Sequence, residues 1–153
     1  MHFSAPSPEV NPNGYLLSFD KELLQLNVIH DFLSQSYWSE GIPRSTVARA
    51  IKSSLCVGVY YAGEQVGFAR VITDYTTFAY LCDVFVLEPH RGQGLAKWMV
   101  KALQSHPELQ GLRRWMLATA DAHHLYEQRG FTPLAQPERF MQMHTPNAYR
   151  RTY

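Results

Sequence analysis

Between a strand-like stretch, Phe78 to Leu87, and an amphipathic one from about Leu95 to Ser105 stands Arg91-Gly92-Gln93-Gly94. A chain passing from strand to helix through two glycines must turn sharply and leave the first helical N–H groups uncovered. Such a terminus carries about half a positive charge plus unsatisfied donors, which suits a phosphate or pyrophosphate. Arg91 adds a cation beside it. Two familiar phosphate loops are excluded. A dinucleotide fingerprint needs a third glycine where Lys97 stands, and an NTPase loop needs Gly-Lys-Ser/Thr, which is absent. A plain tight turn would use the same glycines.

The pattern around this loop sets the fold class. Ser4 to Gly14 is punctuated by turn formers and reads as a loose N-terminal arm within residues 1–14. Tyr15 to Phe19 predicts a short strand, and Lys21 to Ser36 a helix with Leu23, Leu24, Leu26, Val28, Ile29, Phe32 and Leu33 mostly on one face. An aromatic loop, Tyr37 to Pro43, precedes a second helix, Thr46 to Ser53, with Ser45 as its N-cap. Leu55 to Tyr61 and Gln65 to Thr73 form a hairpin about Ala62-Gly63-Glu64, and Phe78 to Leu87 follows as another strand. Beyond the glycine loop and its helix, Pro107 ends the helix, Arg114 to Thr119 is a strand and Ala122 to Arg129 a short helix closed by Gly130. Phe131 to Leu134 and Phe140 to Met143 are expected as final strands. Helices interspersed with strands and central hairpins imply an α/β (α+β) fold, a mixed sheet flanked by helices.

A chain of 153 residues is the size of a single domain, 1–153, able to bury a core without metal or disulfide support. The 13% aromatic content excludes disorder, and a net charge of +1 gives no basis for binding nucleic acid or an anionic membrane. No apolar run approaches the ~20 residues of a membrane span, and the proline-rich start does not read as a signal peptide. Cys56 and Cys82 sit in apolar runs without metal-ligand spacing. They read as buried thiols of a cytoplasmic protein, and no metal site is expected.

Val86-Leu87-Glu88-Pro89-His90-Arg91-Gly92-Gln93-Gly94-Leu95-Ala96 resembles the acetyl-CoA motif of the GNAT superfamily of N-acetyltransferases. Downstream, Ala122-His123-His124-Leu125-Tyr126-Glu127-Gln128-Arg129-Gly130-Phe131 is similar to the superfamily's Ala-x-x-Leu-Tyr-x-x-x-Gly-Phe segment. The element order agrees from about Tyr15 to Phe131. One departure is visible: many members carry Asn seven residues before the tyrosine, where this chain has Thr119.

The resemblance implies acetyl-CoA as cosubstrate and a GNAT-like acyltransferase fold. It implies that the main-chain groups of Gly92, Gln93, Gly94, Leu95, Ala96 and Lys97, with Arg91, hold the CoA pyrophosphate. Phe85 and Val86 then lie where the central strand splays from its neighbour, their backbone meeting pantetheine and the Val86 N–H the thioester carbonyl. With Thr119 in place of that Asn, the side-chain contact to the pantetheine arm is either weakened or replaced by the Thr119 side chain. Tyr126 is placed beside the leaving thiolate, as general acid or donor; its alternative is a packing tyrosine. Asp83, acidic in an apolar strand, is costly there unless paired or functional. It either contacts the acceptor amine or pairs with Arg70, Arg113 or a backbone N–H.

An acceptor pocket is expected from the aromatic loop and middle strands, with Tyr37, Trp38, Tyr80, Cys82 and Asp83 as substrate-binding candidates and Ile42, Pro43, Tyr75 and Phe78 nearby. A small-molecule amine acceptor and direct transfer in a ternary complex follow, with homodimerisation a further implication of the resemblance. A protein or peptide acetyltransferase, or an inactive acyl-CoA sensor, remains open.

Overall fold

The computed structural model describes residues 5–149; Met1 to Ser4 of the expected arm and the last four residues lie outside them. Six strands form one sheet in chain order: β1 (Glu9–Val10), β2 (Leu16–Ser18), β3 (Leu55–Tyr61), β4 (Glu64–Thr73), β5 (Phe78–Val86) and β6 (Arg114–Leu117). Neighbours are antiparallel except β5 and β6, which are parallel because α3 (Leu95–Gln104) carries the chain across between them. Helices α1 (Leu26–Ser34), α2 (Arg44–Lys52) and α4 (His123–Glu127) complete the set.

The almost unbroken apolar run of β3 is buried on both faces because helices cover both. Val57 and Val59 point into a larger core with Met99 and Leu103 of α3. Cys56 and Phe68 point the other way, into a smaller core with Ile29 and Leu33 of α1 and Val47 of α2. Each such side chain contributes about 1.5–3 kcal/mol by leaving water. Between β3 and β4, Ala62 and Gly63 both take positive φ, 50° and 82°, the geometry of a two-residue hairpin that follows the strand twist.

Several expectations shift. The helix over Lys21 to Ser36 is split into a 3-10 turn at Lys21–Leu23 and α1. Gln25 interrupts it by going extended, its backbone N–H donating to Gln65 Oε1 while its own Oε1 accepts from Gln65 N–H. Pro43, not Ser45, caps α2, because its carbonyl accepts the first helical bonds. Within the expected arm, Glu9–Val10 pairs with Leu16–Leu17, and Glu9 Oε2 accepts from Trp98 Nε1 at 3.0 Å. The final strands at Phe131–Leu134 and Phe140–Met143 do not form. Their apolar alternation favours a strand only beside a partner, and Pro133 and Pro137 remove donors that a ladder needs.

Candidate active site

The site begins with a pairing that stops early. β6 pairs with β5 only over Phe78–Leu81, so Cys82 to Val86 line a gap on that side. The divergence coincides with a β-bulge opposite Phe68–Arg70, where Asp83 takes φ 53°. Leu87 N–H donates to Val66 O at 2.8 Å, so strand alternation turns the Val86 N–H to the opposite edge, into the gap. The Val86 carbonyl is already used: Arg91 Nε donates to it at 2.9 Å.

Beyond β5 the glycine loop fits an anionic group. Gly92 and Gly94 take φ 80° and 75°, and a Cβ on either would meet no atom within 4 Å. The glycines are therefore required by backbone conformation, and the space beside them is open to a ligand. Gly94 caps α3 with no side-chain hydrogen bond, and the helical ladder starts with Trp98 N–H to Gly94 O at 3.0 Å. The N–H groups of Leu95, Ala96 and Lys97 thus remain as donors at the positive end of the helix. Gln93 is not among the residues lining the cleft: its side chain donates to the Tyr15 hydroxyl at 2.9 Å, and that hydroxyl in turn bonds His90 Nδ1, bracing the loop. Arg91, Gly92, Gly94, Leu95, Ala96 and Lys97 line a cleft of 770 Å3 together with Phe85 and Val86. The Phe85 side chain itself is core, stacked on Phe32 with centroids 4.1 Å apart.

On the other side of the bulge lies a cavity of 380 Å3. Tyr37, Trp38, Tyr80, Cys82, Asp83 and Thr119 all line it; Ile42, Pro43, Tyr75 and Phe78 do not. Ile42 is buried in the smaller core, while Tyr75 and Phe78 are exposed at the β4–β5 turn. The cleft and the cavity share Tyr37, Trp38, Val84, Asp121, Ala122 and Tyr126, so the two spaces join there.

At this junction Tyr126 is buried, and burial pushes its phenol up to about 12, helped by the neighbouring Tyr37 phenol and Asp121 carboxylate. A phenol held neutral is a lasting hydrogen-bond donor. Against a thiol of ordinary pKa near 8.5 it is too weak an acid to give up its proton outright. Asp83 is paired on both oxygens: Trp38 Nε1 donates to Oδ1 and Arg70 Nε to Oδ2, each at 2.8 Å. Arg70 is fixed in turn by donating to Ser54 Oγ at 3.0 Å. Burial also drives the Cys82 thiol up to about 12, leaving it protonated and a poor nucleophile. The Thr119 hydroxyl faces its own backbone, accepting from Ala122 N–H at 3.1 Å at the entry to α4. Sequence reasoning missed Asp121, whose signal was its place as the lone charge in Ala118-Thr119-Ala120-Asp121-Ala122.

Residues 26–131 match the model of the acetyltransferase (GNAT) family. A relative from Gibberella zeae, provisionally named an acetyltransferase, is 38% identical, the match covering 73% of this chain and 75% of that protein. A crystal structure from Xanthomonas campestris, provisionally assigned to the GNAT acetyltransferases, is 48% identical and superposes with TM-score 0.87, covering 97% of this chain and all of that one. A structure from Clostridium acetobutylicum with acetyl-CoA, also a provisionally named acetyltransferase, shares the fold at TM-score 0.62 and 12% identity, covering 86% of this chain and 95% of that one.

Proposed function

We propose that this chain, which belongs to the GNAT family of acetyltransferases, moves the acetyl group of acetyl-CoA directly onto a primary amine of a small molecule. The observation that carries this reading is the meeting of the glycine-loop cleft with the smaller cavity at Val84 and Tyr126. The acetyl-CoA held by the Clostridium acetobutylicum structure of the same fold supports the cosubstrate. Both cysteines are free, which suits a reducing compartment such as the cytoplasm.

The uncovered N–H groups of Leu95 to Lys97 and the Arg91 guanidinium hold the pyrophosphate. Bound acetyl-CoA supplies an activated thioester, and the residues around the gap orient it. The Val86 N–H donates to the carbonyl oxygen as that oxygen gains charge, an interaction worth about 3 kcal/mol per donor. Tyr126 donates to the departing sulfur. An alkylamine of pKa near 10.4 is almost wholly protonated at neutral pH and must lose a proton before attack. The Asp121 carboxylate at the junction draws the ammonium in and receives that proton, directly or through water. Asp83, engaged on both oxygens, holds the Trp38 wall and the bulge. A cavity of 380 Å3 with aromatic walls suits a compact amine.

Thiol release from acetyl-CoA, followed across small amines and lysine peptides, tests the proposal. Release that saturates with a small amine supports it. Faster release with peptides would favour a protein acetyltransferase, and binding without release from any amine would favour a sensor.

A further inference from the structure

We infer that the smaller cavity selects its guest by charge and by shape, taking an arylalkyl monoamine that carries no anionic group. The inference rests on the reading of this cavity as the amine site and narrows its substrate class. Asp83 and Asp121 line the cavity, and no Lys, Arg or His does so among the described residues. Arg70 balances the Asp83 charge at 2.8 Å, whereas Asp121 forms no ion pair among the described residues. One carboxylate is therefore left over, enough for one ammonium. A second ammonium finds no free carboxylate, and a carboxylate or phosphate on the guest finds no cation and is repelled by Asp121. Arg91 and Lys97 line the glycine-loop cleft and not this cavity.

The shape comes from two rings that are fixed yet bare. Tyr37 and Trp38 stand nearly perpendicular, at 80° with centroids 5.0 Å apart, and so make a corner. Both are pinned: Trp38 Nε1 donates to Asp83 Oδ1, and the Tyr37 hydroxyl accepts the Ala120 N–H at 3.2 Å. The two residues are nonetheless 63% and 41% exposed. Rings held by hydrogen bonds and left facing water keep apolar surface ready for a flat guest to bury.

Corner and charge are tied together. The Tyr37 hydroxyl holds the residue just before Asp121, and the Tyr126 phenol lies close enough to feel both groups. An ammonium at Asp121 then directs an aryl group, on a short alkyl link, at the Tyr37–Trp38 corner.

Calorimetric titration with phenethylamine, phenylalanine, butylamine and putrescine tests the inference, on the free protein and on protein saturated with free CoA. Phenethylamine should bind at least about tenfold more tightly than each of the others, which add a carboxylate, remove the ring or replace it with a second ammonium. Trp38 lies outside both cores, so Trp38→Leu should bring phenethylamine down to the level of butylamine and leave CoA binding unchanged. Asp121→Asn should weaken phenethylamine and narrow its lead over phenylalanine. Phenylalanine, butylamine or putrescine binding as tightly as phenethylamine overturns the inference. So does an absence of binding by all four, or a lead that survives both variants. If CoA fails to bind, the reading of the glycine-loop cleft falls, and the ranking on the free protein still decides this one. The expected ranking without acetyl transfer counts against the proposed reaction and not against the selectivity.

Discussion

The indole Nε1–H of Trp38 donates to Oδ1 of Asp83 at 2.8 Å, tying the loop after α1 to the β5 bulge across 45 residues of sequence. The same carboxylate balances Arg70. One donor on each oxygen suits Asp83 to bracing the acceptor wall, and we propose that role for it in place of proton acceptor. Asp83→Asn should therefore raise the acceptor KM while kcat falls less than about tenfold, and Trp38→Phe should do the same with an unchanged Kd for acetyl-CoA. A base would instead be worth about 100- to 10,000-fold in rate. A kcat loss of that size in Asp83→Asn would restore the catalytic role and remove Asp121 from it.

Tyr126→Phe should lower kcat by about 100-fold, the usual effect of deleting one preorganised donor, and leave the acetyl-CoA Kd nearly unchanged. Because burial pushes the phenol up to about 12, it stays a donor past the ordinary tyrosine pKa near 10. Wild type and variant should then share the same alkaline limb. A limb near pH 10 present only in the wild type would contradict this.

His106 is buried against Phe19, and its Nδ1 accepts the Glu108 N–H at 3.1 Å. Burial lowers its pKa below the unfolded value of about 6.5. The folded state binds fewer protons there, so this contribution to stability is complete above about pH 6.5 and is lost as pH falls through the lowered pKa. His106→Asn keeps the turn-capping acceptor but not the titration. Urea unfolding at neutral and at mildly acidic pH should show a smaller stability loss in the variant, and equal losses would be inconsistent with the pKa direction.

The Tyr60 hydroxyl is buried without a hydrogen-bond partner among the described residues, over Gly58, where a Cβ would fall 2.5 Å from it. Tyr60→Phe removes an unsatisfied polar atom and should raise stability by about 1 kcal/mol in chemical denaturation. Destabilisation would mean that the hydroxyl finds a partner in solution.

The sheet core was legible because period-2 and period-3.6 patterns report which face is buried, and β3, β4 and α3 carry those patterns strongly. The glycine loop was legible because positive φ at Gly92 and Gly94 demands that residue type. Gln25 was not, since its break in the first helix is made by Gln65, forty residues away. Nor were the final strands: Phe140 to Met143 have a strand's alternation, but pairing depends on a neighbour the pattern cannot name. Asp83 was seen as anomalous, with Arg70 among its possible partners; the structure selects Arg70 and adds Trp38, which the sequence did not suggest. Asp121 escaped notice because a lone acid among small residues has no period at all.

The central claim, that the space beside Gly94 holds acetyl-CoA, is tested most directly by calorimetric titration of the wild type and of Gly94→Trp, with free CoA as comparison. The open space around Gly94 should be filled by the indole, while positive φ costs the fold about 1–2 kcal/mol. The account predicts saturable, micromolar binding to the wild type, weakened at least about tenfold in a variant that still unfolds cooperatively. No heat from a folded wild type, or equal affinity in the two proteins, would contradict it.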